Sequence, residues 1–228
     1  MAMEPSEDTP VRTPTADHRK GERARGFEWL GGSLCLDFVN TVSWGGDGPR
    51  EERLGSHRDL LAWARAAGLR PAPAMRGPTP AAAADASDRA LRRAHGLRAA
   101  LHEVFLAEVE GRRASRTAAA ALGAFVEQGA AHLTLTPAEG TWSFRFDAAE
   151  HPESPLWPVA WDAAHLLTSE ARRPVRRCAN DRCRWLFLDE SRRGNRRWCD
   201  MAICGSRAKA RTYYRRRKAE VQGKVQSR

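Results

Sequence analysis

Four of the chain's five cysteines share one stretch, with the spacing Cys178-x4-Cys183-x15-Cys199-x4-Cys204. Zinc takes four soft ligands at the corners of a tetrahedron, and two thiolate pairs from separate chain segments supply them. Each pair is close enough in sequence for one turn to aim both sulfurs at one ion. Four thiolates leave that ion no open position, so the spacing predicts one structural Zn2+ and not a catalytic one. Thiol redox chemistry would instead need exposed, activated sulfurs. Unrelated free cysteines are the plain alternative, and the paired spacing argues against it.

The 15 residues between the pairs leave room for a hairpin. WLFLD is strand-like, SRRGN turns at Gly194, and RRW returns the chain. After Cys204, SRAKARTYYRRRKAE is rich in helix formers, with Ser206 available as a cap. Knuckle, hairpin and a second cysteine pair at a helix start make a treble-clef-like zinc finger. A piece of ~45 residues cannot build a sufficient core alone, so the metal stands in for one. Zinc removal is then expected to unfold the finger and spare what precedes it.

The net charge of +10 gathers in the same region: residues 172–218 hold 17 Lys/Arg against 4 Asp/Glu, and residues 1–171 hold 19 against 23. A local excess of this kind favours a polyanionic partner, with a merely solvated basic tail as the alternative. Arg192, Arg193, Arg196 and Arg197 surround the expected turn. Arg207, Arg211, Arg215 and Lys218 recur at spacings that share a helix face, and Lys209 and Arg216 add to the charge. A helix fits the major groove of DNA, and its N-terminus offers N–H groups to a phosphate. Most of these side chains are assigned to phosphates, contacts that give affinity and register. Arg207 and Arg211 are the candidates for reading guanine. Asn195 either contacts adenine or holds the turn, and the turn is favoured. Tyr213 and Tyr214 either stack on bases or pack on the core, and packing is favoured. Trp185 and Trp198 are placed around the zinc.

The rest reads as an α+β, mainly helical domain over 27–173, after a tail (1–26) expected to be disordered. A finger over 174–219 and a tail over 220–228 follow. Leu34, Phe38 and neighbours in 27–44 fit both strand and helix periods. Ser56 looks like the cap of a helix to about Ala67, ended by Gly68, with Leu60, Leu61 and Trp63 or Ala64 inward. Residues 71–80 are a proline-rich loop. A long helix follows over about 82–110, ended by Gly111, and another over 117–128 with Leu122, Phe125 and Val126 inward. HLTLT and TWSFRF alternate and flank Pro137–Gly140, a hairpin. A helix over 159–171 closes the domain. No run of 18 apolar residues exists, so no membrane span is expected, and the N-terminus lacks a secretion signal. A cytoplasmic location, where thiols stay reduced, favours metal over disulfides.

Asp37, Asn40, His57, His95, His102 and His132 form no catalytic spacing, so no enzyme is expected. Asp37 and Asn40 either line a small-molecule pocket or cap a local turn, and the cap is favoured. Cys35, in an apolar run, reads as a small buried residue.

From Cys178 to Arg217, CANDRCRWLFLDESRRGNRRWCDMAICGSRAKARTYYRRR resembles the CGNR zinc finger family, with WLFLD, SRRGNRRWC and RAKAR close to its pattern. The motif that gives the family its name is here Cys204-Gly205-Ser206-Arg207, with serine for asparagine. GGSLCLDFVNT resembles the start of the ABATE domain, which commonly precedes this finger and is linked to stress-induced transcriptional regulation. The resemblance implies a transcriptional regulator of bacterial type, with an N-terminal sensing or dimerisation domain and a DNA-binding finger. RNA binding and protein interaction are the alternatives. A small-molecule effector and a homodimer are left open as partners.

Overall fold

A computed structural model describes residues 23–24, 26–45, 48–69, 79–138, 141–147 and 151–226. Its first elements are β1 (Arg23–Ala24) and β2 (Phe27–Glu28), antiparallel around Gly26, whose φ of 86° suits glycine. Residues 1–22 of the expected disordered tail lie outside the described residues.

The ambiguous segment 27–44 holds both periods because it holds both structures. Ser33 accepts a hydrogen bond from the Leu36 N–H and opens the short helix α1 (Leu34–Val39). The strand β3 (Val42–Gly45) follows and pairs with β4 (Gly48–Glu52). Leu34, Cys35, Leu36, Phe38 and Val39 are all buried. A helix covered on nearly every side shows no clean stripe in its sequence. Strand β4, GPREE, is polar and gave no signal at all.

Helix α2 (His57–Ala66) has the expected Ser56 cap and ends at Gly68, with a φ of 73°. Both alternatives for its inner face, Trp63 and Ala64, are buried. Helix α3 (Pro80–Val109) starts slightly before its expected position because Thr79 caps it and Pro80 fits its first turn. Residues 71–78 of the proline-rich loop lie outside the described residues. Helix α4 (Arg116–Ala130) follows Gly111, and β5 (Leu133–Ala138) and β6 (Thr141–Phe146) pair as the expected hairpin, from Leu133↔Phe146 to Ala138↔Thr141. Helix α5 (Leu156–Thr168) begins before the expected residue 159 and takes in Pro158. A proline in the first turn gives up an N–H that no helix bond needs.

Helix α1 packs between α3 and α5, and α4 lies against both. Trp63 sits at the centre, 5.0 Å from Phe38 and 6.1 Å from Trp29. A charged pair reaches into this core. The buried Arg98 guanidinium grips both carboxylate oxygens of Glu52 and donates to Thr41 Oγ1 at 2.9 Å. Partial burial alone would raise the Glu52 carboxyl, but hydrogen bonds from Arg98 and the Leu54 N–H hold it below the usual range. Cys35 is fully buried, its thiol pushed up by that burial and by the nearby Asp162.

The C-terminal part corrects one expectation. Strand β8 (Leu186–Leu188), inside WLFLD, does not pair with RRW. It pairs with β7 (Val175–Arg177), which precedes Cys178, in the register Val175↔Leu188 to Arg177↔Leu186. Val175 and Leu186 alternate onto the core of the N-terminal part, whereas RRW reaches the knuckle through a backbone bond from Ala179 N to Arg197 O at 2.8 Å. The chain then makes a π-helical turn (Met201–Gly205) that runs into α6 (Ser206–Gln226). Asp200, not Ser206, caps this start, accepting from Ile203 N at 2.6 Å. Helix α6 continues through the expected tail to Gln226. The whole is α+β, mainly helical, with four small antiparallel pairs among the described residues.

Candidate metal centre and nucleic-acid interface

The β7–β8 hairpin carries Cys178 and Cys183 at its tip. Cys178 N donates to Trp185 O at 2.8 Å, and Cys183 N donates to Asn180 O at 2.8 Å, which closes the knuckle. Cys199, just before the Asp200 cap, and Cys204, in the turn after it, come from the other side. All four sulfurs lie within 4.8 Å of one another, with Cys183–Cys199 at 3.6 Å and Cys199–Cys204 at 3.7 Å. Zn–S bonds of about 2.3 Å give a tetrahedron with edges of about 3.8 Å, so the cluster is the right size for one zinc ion.

Charge gives the same result. The Cys178 thiol is pulled down chiefly by a hydrogen bond from Cys183, and that of Cys204 by one from Cys178. Cys183 and Cys199 are pushed up, chiefly by their hydrogen bonds to Cys178. Four thiolates cannot share this volume without a cation, and a dication removes the conflict. The protein holds one structural zinc ion on Cys178, Cys183, Cys199 and Cys204.

Sequence reasoning missed two residues that shape this centre. Asn180, buried inside the knuckle, donates from Nδ2 to Cys204 Sγ at 3.3 Å, and its Oδ1 accepts from Arg211 Nη2 at 3.0 Å. It thus orients a ligand and ties α6 to the knuckle. Asp189, also buried, accepts from Ser191 and from Arg196 N at 2.9 Å, and it forms an ion pair with Arg176 at 2.6 Å. Burial opposes its charge, but these donors hold its carboxyl below the usual range. Asp189 thereby fixes the turn 189–196. The one available signal was a short polar residue beside a ligand or an apolar strand, too common a pattern to single them out.

The arginines divide. Arg192, Arg193, Arg197, Arg207, Lys209, Arg211 and Arg215 are exposed. Arg196 is not free: its guanidinium lies 4.4 Å from the Phe187 ring and donates to Trp198 O at 2.9 Å and to Cys199 O. These contacts lie within the finger. Arg211 spends one amino group on Asn180. Asn195 is exposed and its N–H reaches Ser191 Oγ at 3.3 Å, within a turn where Gly194 has a φ of 58°. The side chains of Arg216 and Lys218 lie outside the described residues.

Tyr213 and Tyr214 are 58% and 69% exposed, so the favoured packing against the core is wrong. Helix α6 is exposed on all sides from Lys209 to Arg215 and has no apolar face to bury. Trp185 and Trp198 do pack around the zinc cluster. Asp37 caps a local turn, accepting from Gly31 N at 2.7 Å, as favoured. Asn40 does something else: it bonds across the molecule to Leu186.

Fold and site together define a helical α+β domain that carries a zinc finger with an outlying basic helix. The chain belongs to the ABATE family, described as "Putative stress-induced transcription regulator", which residues 32–170 match. Residues 174–217 match the CGNR zinc finger. Neither family is described as enzymatic. A comparison with curated proteins finds no match. Among the described residues no helix is long and apolar enough to cross a membrane.

Proposed function

We propose that this protein is a cytoplasmic transcriptional regulator that binds duplex DNA through residues 174–219, while residues 27–173 supply sensing or dimerisation and no catalysis. The observation that carries the reading is a set of exposed cations on both segments that flank the second cysteine pair. Asp189 fixes the turn bearing Arg192, Arg193 and Arg197, and the zinc site anchors the start of α6, which bears Arg207, Lys209, Arg211 and Arg215. Six neutralised phosphates would give a fall of log K with log salt at a slope of about −5. Titration of zinc-loaded protein onto duplex DNA over a range of salt measures it, and an affinity indifferent to salt would refute the reading.

The second reading is RNA. The exposed pair Tyr213 and Tyr214 favours it, since bases freed from a helix stack on aromatic rings. Competition between duplex DNA and structured RNA at one salt concentration decides between them. Selection of bound fragments from random duplexes would then find the operator.

A further inference from the structure

We infer that residues 31–44 of the N-terminal domain are the receptor for the zinc-knuckle strand, with Asn40 as the positioning residue, so that zinc retention and the fold of that domain are linked. This holds whichever nucleic acid the finger binds.

Residues 183–188 run from a zinc ligand into β8, and their backbone is claimed at Cys183, Leu186 and Leu188. Trp44 N donates to Cys183 O at 3.1 Å, which fixes the carbonyl of a ligand itself. Asn40 treats Leu186 as a strand neighbour would: its Nδ2 donates to Leu186 O at 2.8 Å and its Oδ1 accepts from Leu186 N at 3.0 Å. Leu188 N donates to Gly31 O at 2.8 Å. Between them, the Trp185 indole donates to Val42 O at 2.9 Å. Asn40 is 2% exposed and Leu186 fully buried, so water cannot replace these partners.

Packing follows the same line. Leu186 and Val175 belong to the core that contains Phe38 and Leu101, and Leu30 and Trp44 reach back onto the cluster of Cys178, Trp185 and Phe187. The Arg53 guanidinium sits 5.3 Å from the centre of the Trp185 ring. Gly32, at a φ of 82°, brings its backbone so near Leu188 that an added Cβ would stand 3.2 Å from that residue's Cβ. The knuckle is thus held from outside the finger. Any state that binds zinc more tightly when docked must, by linkage, dock more tightly when zinc is bound.

Two measurements on the full chain test this. In the first, zinc-loaded protein is challenged with a colorimetric chelator and the release rate is read. Asn40→Ala should release zinc about tenfold faster or more, the scale set by outer-shell partners of metal ligands. Leu122→Ala, which loosens the same domain on α4 away from this strand, should stay near the native rate. Equal rates for the native protein and Asn40→Ala, or equal acceleration by both variants, overturn the proposal. The second needs no variant and decides the matter if Asn40→Ala fails to fold: amide exchange of residues 34–39 with zinc bound and after chelation. Faster exchange after chelation is expected. Unchanged protection of α1 would show the finger to be a separate body, and the proposal would fall.

Discussion

Within the finger, neighbouring arginines with the same formal charge have different work, and what each guanidinium touches decides which. Arg196 is folded over Phe187 and bonded to the backbone that leads into Cys199, whereas Arg192 and Arg193 face solvent. Arg192→Ala and Arg193→Ala should weaken nucleic-acid binding on all sequences alike and leave the melting temperature unchanged. Arg196→Ala should lower the melting temperature, and calorimetry beside binding curves separates the two effects. Asn180→Ala removes the N–H that faces Cys204 and should weaken zinc about 10–100-fold in a competition titration. The four ligands were legible because metal chemistry fixes both residue type and spacing. Asn180 and Arg196 were not, because their roles depend on atoms many residues away that no local pattern encodes. Tyr213 and Tyr214 were misread for the opposite reason. Packing was assumed for a stretch of helix whose residues from Lys209 to Arg215 are all exposed.

Elements with their own punctuation were legible to within a few residues. Helix α2 has Ser56 and Gly68, α3 ends at Gly111, and the alternating β5–β6 hairpin could be read from its pattern. Strand β4 and the β7–β8 pairing were not, since the first is held by the Arg98–Glu52 contact and the second by a core shared with distant helices. One further pair joins elements. The His102 ring of α3 stacks on Trp44 of β3 at 3.6 Å, with Arg177 of β7 nearby. Burial first, and Arg177 second, pull the imidazole from 6.5 down to about 4, against the acids Glu110 and Glu103. The folded form therefore needs a neutral ring. Its stability is fully present above pH 6.5 and drains as pH falls toward about 4, where the loss levels off at about 3 kcal/mol. His102→Phe keeps a ring on Trp44 and should lose less stability than the native protein between about pH 7.5 and about pH 5 in thermal melts. Zinc release at low pH affects both proteins, so the difference isolates His102.

At the scale of the molecule, the two family matches divide the sequence between residues 170 and 174, but the core does not divide there. The composition of the finger predicts a unit that only its metal holds together. The structure adds a second support, the N-terminal domain. Chelation should therefore broaden or lower the unfolding transition of the entire chain, and not remove a separate small one, in a calorimetric scan.

The outlying stretch of α6 leads to one more consequence. From Lys209 to Arg215 it is exposed and reaches the knuckle through Arg211 and Asn180, and the sequence sets four like charges in a row over residues 215–218. Like charges so placed repel one another, and short helices in water are marginal. A phosphate chain laid alongside would cancel the repulsion that frays it. Circular dichroism should then show a gain in helical signal when polyanion is added, so that recognition finishes what folding began.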